Sequence, residues 1–210
     1  MTKGFFISLE GSGGAGKTTQ TELLVASLRE KGYSVITFHE PGGTKIGEVI
    51  RTIILDPTNI NLDFRSEALL LAASRAQLLY EIVRPALARG EIVIADRYID
   101  SSYVYQGLAR ALGLEEIIQL NDFATDKLVP NLTFLLDLNH KEALQRRRLG
   151  GRNDRMDIQH EEFYKAVEVN YRKVAALFPE RIIMISGERD AESIHQTILE
   201  ETLKRLMGQD

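Results

Sequence analysis

The sequence predicts an α/β fold in which five parallel strands form a sheet flanked by helices. Short apolar runs alternate with stretches that carry apolar residues at helical spacing along the 210 residues. Residues 11–18, directly after the first apolar run, match the pattern Gly, four residues, Gly-Lys-Thr. Together these observations indicate a three-layer fold like that of the P-loop NTPases.

The first element is a strand over 5–9, and a helix over 19–31 follows the glycine-rich loop. In that setting, backbone N–H groups turn toward one anion and the helix adds its positive dipole end. We expect Lys17 to reach the β- and γ-phosphates of ATP and the Thr18 hydroxyl to ligate Mg²⁺. A glycine-rich turn with an incidental lysine is the alternative. The predicted ATP-binding residues are Gly11, Ser12, Gly13, Gly14, Ala15, Gly16, Lys17, Thr18 and Thr19.

A second strand is predicted over 33–38, and the turn-forming segment 40–44 follows it. This segment begins with Glu40 and Pro41, so it places a carboxylate near the carboxyl end of the sheet, where open α/β folds bind ligands. A plain turn is the alternative. A helix over about 46–55 then carries Arg51.

The longest helical stretch, 64–89, is apolar enough to predict burial of most of its circumference. Leu71 and Arg75 share a face and could present an apolar surface and a donor fork to a planar base. Because a buried guanidinium needs partners, an internal salt bridge to Glu67 or Asp96 is the alternative.

A third strand, 91–95, delivers Asp96 and Arg97 at its carboxyl end. We expect Asp96 to hold the Mg²⁺ shell and Arg97 to bind a second phosphate, although a simple ion pair is possible. The helix opening at 101 can turn Ser102, Tyr105 and Gln106 to one side, with Gln106 toward a base edge. An exposed polar glutamine is the alternative.

The rest of the chain predicts helices over 114–128, 159–177 and 191–207 and strands over 132–137 and 181–185. Five arginines fall within residues 146–155, beside two adjacent glycines. This pattern favours a hinged, arginine-rich lid over about 146–157, because arginines stabilise the charge of a transferring phosphoryl group. A solvated charged loop is the alternative.

Bulk properties narrow the class of protein. A net charge of −4 argues against a nucleic acid polymer as partner, and no apolar run is long enough to span a membrane. The chain has no cysteine, which excludes disulfides, and its four histidines lack metal-ligand spacing. With no predicted signal peptide, we expect one domain over residues 1–210, located in the cytoplasm.

The motifs together suit two phosphate-bearing nucleotides placed end to end, as in a nucleoside monophosphate kinase. No Asn-Lys-x-Asp segment follows a strand, which argues against a GTPase. The chain also resembles the thymidylate kinases over nearly its whole length. The segments that carry this resemblance are Glu10-Gly11, residues 40–44, 72–75, 96–98, 105–107 and Asp154-Arg155.

The resemblance implies transfer of the ATP γ-phosphoryl group to the small-molecule substrate dTMP, with Mg²⁺, in a homodimer that serves dTTP synthesis. It implies that Arg97 and Arg51 hold the dTMP phosphate and that Arg75 and Gln106 read the thymine edge. Tyr105 would press against the sugar. The resemblance is to the bacterial branch, in which lid arginines replace a loop arginine, with Arg148, Arg152 and Arg155 as the candidates here.

Three residues depart from the family pattern. Asp157 stands where a glutamate is usual after the Asp-Arg-hydrophobic segment, which is a conservative change. Gly13 stands where an acidic residue is common, so Glu40 or water would take over that residue's contact to the sugar or metal shell. Leu71 replaces a stacking phenylalanine. A kinase for another small acceptor and a non-catalytic nucleotide switch remain alternative functions; acceptor choice independent of Arg75 and Gln106 would indicate the first, and slow turnover with every acceptor the second.

Overall fold

The structure is a computed structural model that describes residues 4–149, 154–155 and 160–208. The strands are β1 (Phe5–Glu10), β2 (Val35–His39), β3 (Ile92–Asp96), β4 (Leu132–Asp137) and β5 (Ile182–Ser186). The helices before β3 are α1 (Lys17–Glu30), α2 (Lys45–Leu55), α3 (Phe64–Leu78) and α4 (Arg84–Ala88). Those after it are α5 (Ile99–Ser102), α6 (Leu114–Thr125), α7 (His140–Leu149), α8 (Glu161–Leu177) and α9 (Ala191–Met207).

The five strands form one parallel sheet in the order β2-β3-β1-β4-β5, which confirms the predicted fold class. β1 lies at the centre, with Leu9 opposite Asp96 of β3. The loops that follow β1 and β3 therefore emerge side by side at the carboxyl edge of the sheet, and this adjacency positions the site.

The core has two layers, one on each face of the sheet. Phe6 of β1 packs with α3, α6 and α8 on one face, and Phe5, Ile7 and Leu9 pack with α1 and α9 on the other. Successive side chains of a strand point to opposite faces. Because both faces are covered by helices, β1 is buried along its whole length and its polar Ser8 and Glu10 are buried too.

Helical segments at two places pass through a π-helical stretch. The first, Leu79–Val83, joins α3 to α4, where Pro85 lacks the amide that a regular α-helix would need. The second, Tyr103–Ala109, follows α5 and carries Tyr105 and Gln106. The long helix predicted over 64–89 is therefore continuous in path but not in hydrogen-bond pattern.

Within the described ranges, no helix combines the length and the apolar character that crossing a lipid bilayer requires. Of the predicted lid, the structure describes the start on α7 and residues 154–155, whereas Arg152 lies outside the described residues.

Candidate functional site

A cleft of about 400 Å³ opens at the carboxyl edge of the sheet, where the segments after β1, β2 and β3 meet. It brings together most of the residues that the sequence singled out. The predicted residues that line it are Gly13, Gly14, Gly16, Lys17, Thr18, Thr19, Glu40, Pro41, Arg51, Leu71, Arg75, Asp96, Arg97, Ser102, Tyr105 and Gln106. Gly11, Ser12 and Ala15 belong to the same loop but do not line the cleft.

The glycine-rich loop forms one end of the cleft. Gly14 and Gly16 have φ angles of 90° and 95°, a left-handed conformation that glycine adopts without a steric penalty. α1 begins at Lys17, directly after Gly16. The Lys17 ammonium donates to the carbonyl oxygens of Gly11 and Ser12 at 3.1 and 3.0 Å, so it is held over the loop. Loop amides, helix terminus and ammonium form a cradle for an anion.

The predicted magnesium ligands lie next to each other. The Thr18 hydroxyl donates to a carboxylate oxygen of Asp96 at 2.8 Å. Thr18 is the second residue of α1 and Asp96 ends β3, so the pairing of β1 with β3 brings them together. A hydroxyl and a carboxylate suit Mg²⁺, which takes few protein ligands and fills its octahedral shell with water and phosphate oxygens. The donor set therefore fits this ion.

Arg147 of α7 lies on the glycine-rich loop. A Cβ atom at Gly13 would come within 2.4 Å of Arg147 Nη1, so the guanidinium occupies the space of a side chain at position 13. Asp154 holds this guanidinium through Nη2, at 2.9 and 3.1 Å. The absence of a side chain at Gly13 thus allows an arginine 134 residues further along the chain to approach the glycine-rich loop.

Arg97 stands at the other end of the cleft with its backbone in the left-handed region, at a φ of 77°. Nη1 donates to Ser101 Oγ at 3.0 Å and to the Tyr171 hydroxyl at 2.8 Å. The guanidinium also lies 5.4 Å from the centre of the Tyr105 ring. Within the described part of the chain, Nε and Nη2 have no hydrogen-bond partner, so they can bind an anion.

Glu10, the last residue of β1, is a buried carboxyl group behind Arg97. Burial and the nearby charge of Asp100 raise its pKa to about 7, against the opposing effects of the Ser101 hydroxyl and the Arg97 guanidinium. A carboxyl group that changes charge near neutrality therefore lies beside the candidate phosphate-binding arginine.

Arg75 is buried and donates all five of its N–H groups to protein atoms. Nε donates to Glu40 Oε2 at 2.7 Å, and Nη2 donates to Glu40 and to the Tyr98 carbonyl. Nη1 donates to Ser102 and Asn121. The internal ion pair that the sequence left open therefore exists, but its partner is Glu40 rather than Glu67 or Asp96. Arg75 faces the cleft with its donors already engaged, and its reading of a base stays a prediction.

Gln106 is buried and donates to Glu67 Oε1 at 2.8 Å, so it is not an exposed helix residue. Arg51 of α2 donates to the Pro41 carbonyl at 2.7 Å. Glu40 keeps its second carboxylate oxygen, Oε1, buried without a hydrogen-bond partner among the described residues. The cleft lining thus includes an unpartnered carboxylate oxygen, a side-chain amide and the apolar side chain of Leu71.

Two of the predicted lid arginines do not line the cleft. The Arg155 guanidinium is buried, donates to the Ile54 carbonyl at 2.7 Å and forms an ion pair with Glu67. Arg148 is exposed on α7 and does not line the cleft. In this structure Glu67 pairs with one of these side chains and the other is exposed on α7, so their contact with the phosphates stays a prediction. Arg146 and Arg147 line the cleft instead.

Sequence reasoning did not assign roles to Arg147, Asp154, Ser101 or Tyr171. A sequence feature could have identified Arg147, because it lies within the arginine run and four residues after Ala143, which contacts the loop at Gly14. No sequence feature could have identified Tyr171. It lies 74 residues from Arg97 and reaches it only because α8 packs beside the π-helical stretch.

Comparisons with known proteins agree on one family. The family model described as thymidylate kinase matches residues 9–198. A thymidylate kinase from Caldanaerobacter subterraneus subsp. tengcongensis is 44% identical over 206 residues, which are 98% of each chain. One from Exiguobacterium sp. is 42% identical over 203 residues, 97% of this chain and 96% of the relative. The crystal structure of thymidylate kinase from Ehrlichia chaffeensis superposes with a TM-score of 0.79 at 30% identity, covering 95% of this chain and 99% of that one.

Proposed function

The chain belongs to the thymidylate kinase family, and we propose that it transfers the γ-phosphoryl group of ATP to dTMP, giving dTDP and ADP for dTTP synthesis, within the cleft described above. The observation that carries this proposal is that one continuous cleft has an anion cradle at the glycine-rich loop and a second anion site at Arg97. Two phosphate-bearing molecules in such a cleft would meet with their phosphates facing each other.

The donor end binds ATP. The amides of the loop and the Lys17 ammonium hold the β- and γ-phosphates, while Thr18 and Asp96 hold Mg²⁺. Mg²⁺, when bound, neutralises charge that develops between the β- and γ-phosphates. Arg147, which lies against Gly13, stabilises the charge on the transferring phosphoryl group and takes the role that the sequence assigned to other lid arginines.

The acceptor end binds dTMP. Nε and Nη2 of Arg97 hold the phosphate whose oxygen attacks the γ-phosphorus as the bond to the β-phosphate oxygen breaks. Arg51 also lines the cleft and contributes to binding this phosphate. The acceptor end contributes to catalysis mainly by orienting the nucleophilic phosphate oxygen, since phosphoryl transfer needs no covalent intermediate with the protein.

The far end of the acceptor site selects the base and sugar. Leu71 supplies an apolar surface for thymine, and Gln106 is held by Glu67 in a fixed orientation. The unpartnered Glu40 Oε1 can accept a hydrogen bond from the nucleotide, which fits the expectation that Glu40 compensates for Gly13. Arg75 supports this surface by locking Glu40, Ser102 and Asn121 together.

We further propose that the chain acts as a single kinase domain, in a homodimer, in the cytoplasm. Large apolar side chains are exposed on neighbouring helices, with Leu69 of α3 at 59% and Phe123 of α6 at 89%. Such exposure supports a protein partner that covers α3 and α6. Light scattering coupled to size exclusion tests the dimer, and a monomer at micromolar concentration would contradict it.

The decisive test of function is ADP release from Mg·ATP with dTMP, dUMP, ribothymidine monophosphate, AMP, CMP and GMP as separate acceptors. We expect rapid turnover with dTMP and a loss of about a hundredfold or more in kcat/KM for Arg97→Ala, since a charged contact and transition-state orientation are both removed. Arg205→Ala on α9, outside the cleft, is the matched control and should behave like the wild type. Preferred turnover with another acceptor would refute the assignment of dTMP.

A further inference from the structure

Glu10 occupies a central position between the phosphate loop and the acceptor arginine. It is 1% exposed and ends β1, directly before Gly11. Its Oε1 accepts from the Tyr98 backbone amide at 2.7 Å, and its Oε2 accepts from Ser101 Oγ at 2.5 Å. The proposed reaction uses neither oxygen, because both are directed at protein groups.

Both hydroxyls on the Oε2 side also contact Arg97. Ser101 Oγ and the Tyr171 hydroxyl lie 2.9 Å apart, and Tyr171 is 3.4 Å from Glu10 Oε2. Arg97 Nη1 donates to each of them, at 3.0 and 2.8 Å. A chain of hydrogen bonds therefore runs from the Glu10 carboxylate through two hydroxyls to one nitrogen of the guanidinium.

The direction of these hydrogen bonds depends on the carboxylate. An ionised carboxylate only accepts, so it draws the Ser101 hydroxyl hydrogen inward, with that of Tyr171 directed to Ser101 or to Glu10. Each hydroxyl then presents an oxygen lone pair to Arg97 Nη1. On the other side, Oε1 holds the amide that follows Arg97, which stabilises the left-handed backbone of that residue.

We propose that Glu10 is a positioning residue for the acceptor phosphate: its carboxylate fixes the Arg97 side chain through Ser101 and Tyr171 and fixes the Arg97 backbone through the Tyr98 amide. The inference rests on the proposed role of Arg97 in binding the dTMP phosphate. Glu10 itself does not touch the nucleotide. It leaves Nε and Nη2 of Arg97 directed into the cleft by holding Nη1 behind them.

The charged groups around Glu10 make this support dependent on pH. Asp100 disfavours the ionised form, while Arg97 favours it. Arg181, which is paired with Asp100, and Arg75 also lie within electrostatic reach. Because the pKa of Glu10 lies at about 7, the carboxylate form that supports Arg97 is lost as the pH falls below neutrality.

Glu10→Gln is the sharpest test, since glutamine keeps the shape but has one acceptor oxygen. It cannot accept from both the Tyr98 amide and the Ser101 hydroxyl. We expect the dTMP dissociation constant, measured calorimetrically without ATP at pH 8, to rise about tenfold, with the KM for ATP changed less than about twofold. The matched control is Glu168→Gln, another buried carboxylate, which lies outside the cleft on α8.

The pH dependence of dTMP binding distinguishes loss of the positioning role from a general disruption of the fold. The second ionisation of the dTMP phosphate affects every variant equally, so the informative quantity is the dissociation constant of the variant divided by that of the wild type. For Glu10→Gln this ratio should approach one below pH 7, where the wild-type carboxyl is protonated. A ratio that stays constant between pH 5.5 and 8.5 would overturn the proposal. A dTMP dissociation constant of Glu10→Gln that equals the wild-type value at pH 8 would overturn it too.

Two further variants test the proposal if Glu10→Gln does not fold and test its premise that Arg97 binds the phosphate. If Glu10→Gln does not fold, Tyr171→Phe removes one hydroxyl of the chain and should weaken dTMP binding about threefold, and unchanged binding would overturn the proposal. Arg97→Ala tests the premise. Unchanged dTMP binding in Arg97→Ala would refute the role of Arg97 and this inference with it, whereas weakened binding there and wild-type behaviour of Glu10→Gln would refute the inference alone.

Discussion

Replacing Arg75 by methionine should destabilise the protein strongly before it affects any contact to substrate. Arg75 and Glu40 form an ion pair whose side chains are 2% and 3% exposed. Methionine retains much of the volume but none of the five donors. It leaves the Glu40 carboxylate buried without its cation, together with the acceptors of Ser102 and Asn121.

The expected loss is about 3–5 kcal/mol, the cost of breaking a buried pair from one side. A domain of ordinary stability has about 5–15 kcal/mol in total, so the variant should unfold at much lower urea concentration. Because most of the cost comes from the stranded carboxylate, adding Glu40→Gln should recover part of it. We expect a coupling free energy of about 2 kcal/mol between the two positions.

The assay is urea unfolding followed by far-UV circular dichroism, without nucleotide and at one fixed protein concentration, since association would shift the midpoint. The wild type, both single variants and the double variant complete the cycle. A loss below about 1 kcal/mol for Arg75→Met, with coupling near zero, would refute the structural role. If dTMP binding still failed in that case, Arg75 would be a direct ligand of the base.

Three other predictions follow from the site. Gly13→Ala should push the Arg147 guanidinium off the loop and lower kcat with little change in dTMP affinity, and an unchanged kcat would place Arg147 outside the reaction. Leu71→Phe should tighten dTMP binding by about 0.5–1.5 kcal/mol through ring stacking, measured by calorimetry, and weaker binding would mean that the ring does not fit. Because the folded-state pKa of Glu10 is raised from 4.5 to about 7, its contribution to stability is fully present below about pH 4.5 and is lost as the pH rises through 7. Thermal melts of Glu10→Gln should lack that part of the pH slope, and an identical slope in both proteins would contradict this origin.

The glycine-rich loop could be predicted from sequence because it is local. Its backbone angles depend on glycines at fixed positions, and its anion site is built from amides and a helix terminus within residues 11–18. The order of strands and helices could be predicted for the same reason, since period and turn residues act over a few positions. The Thr18–Asp96 pair also followed, because parallel strands bring their carboxyl ends to one edge.

Other features depended on which elements pack together. Nothing near Arg75 in the chain indicates Glu40 as its partner, 35 residues away, and Arg155 is drawn to Glu67 across 88 residues. The serine and tyrosine hydroxyls that donate to Glu10 lie 91 and 161 residues away, so no local sequence pattern predicts these hydrogen bonds.

Sequence by itself therefore determined the fold class, the phosphate loop and the set of charged residues at the carboxyl edge, because each depends on neighbours along the chain. Tertiary structure decided which arginine keeps donors without a protein partner, which is held in a buried ion pair and which lies on the loop beside Gly13. The physical reason is that a buried guanidinium must satisfy its donors, and the acceptors within its reach are set by strand order and helix packing.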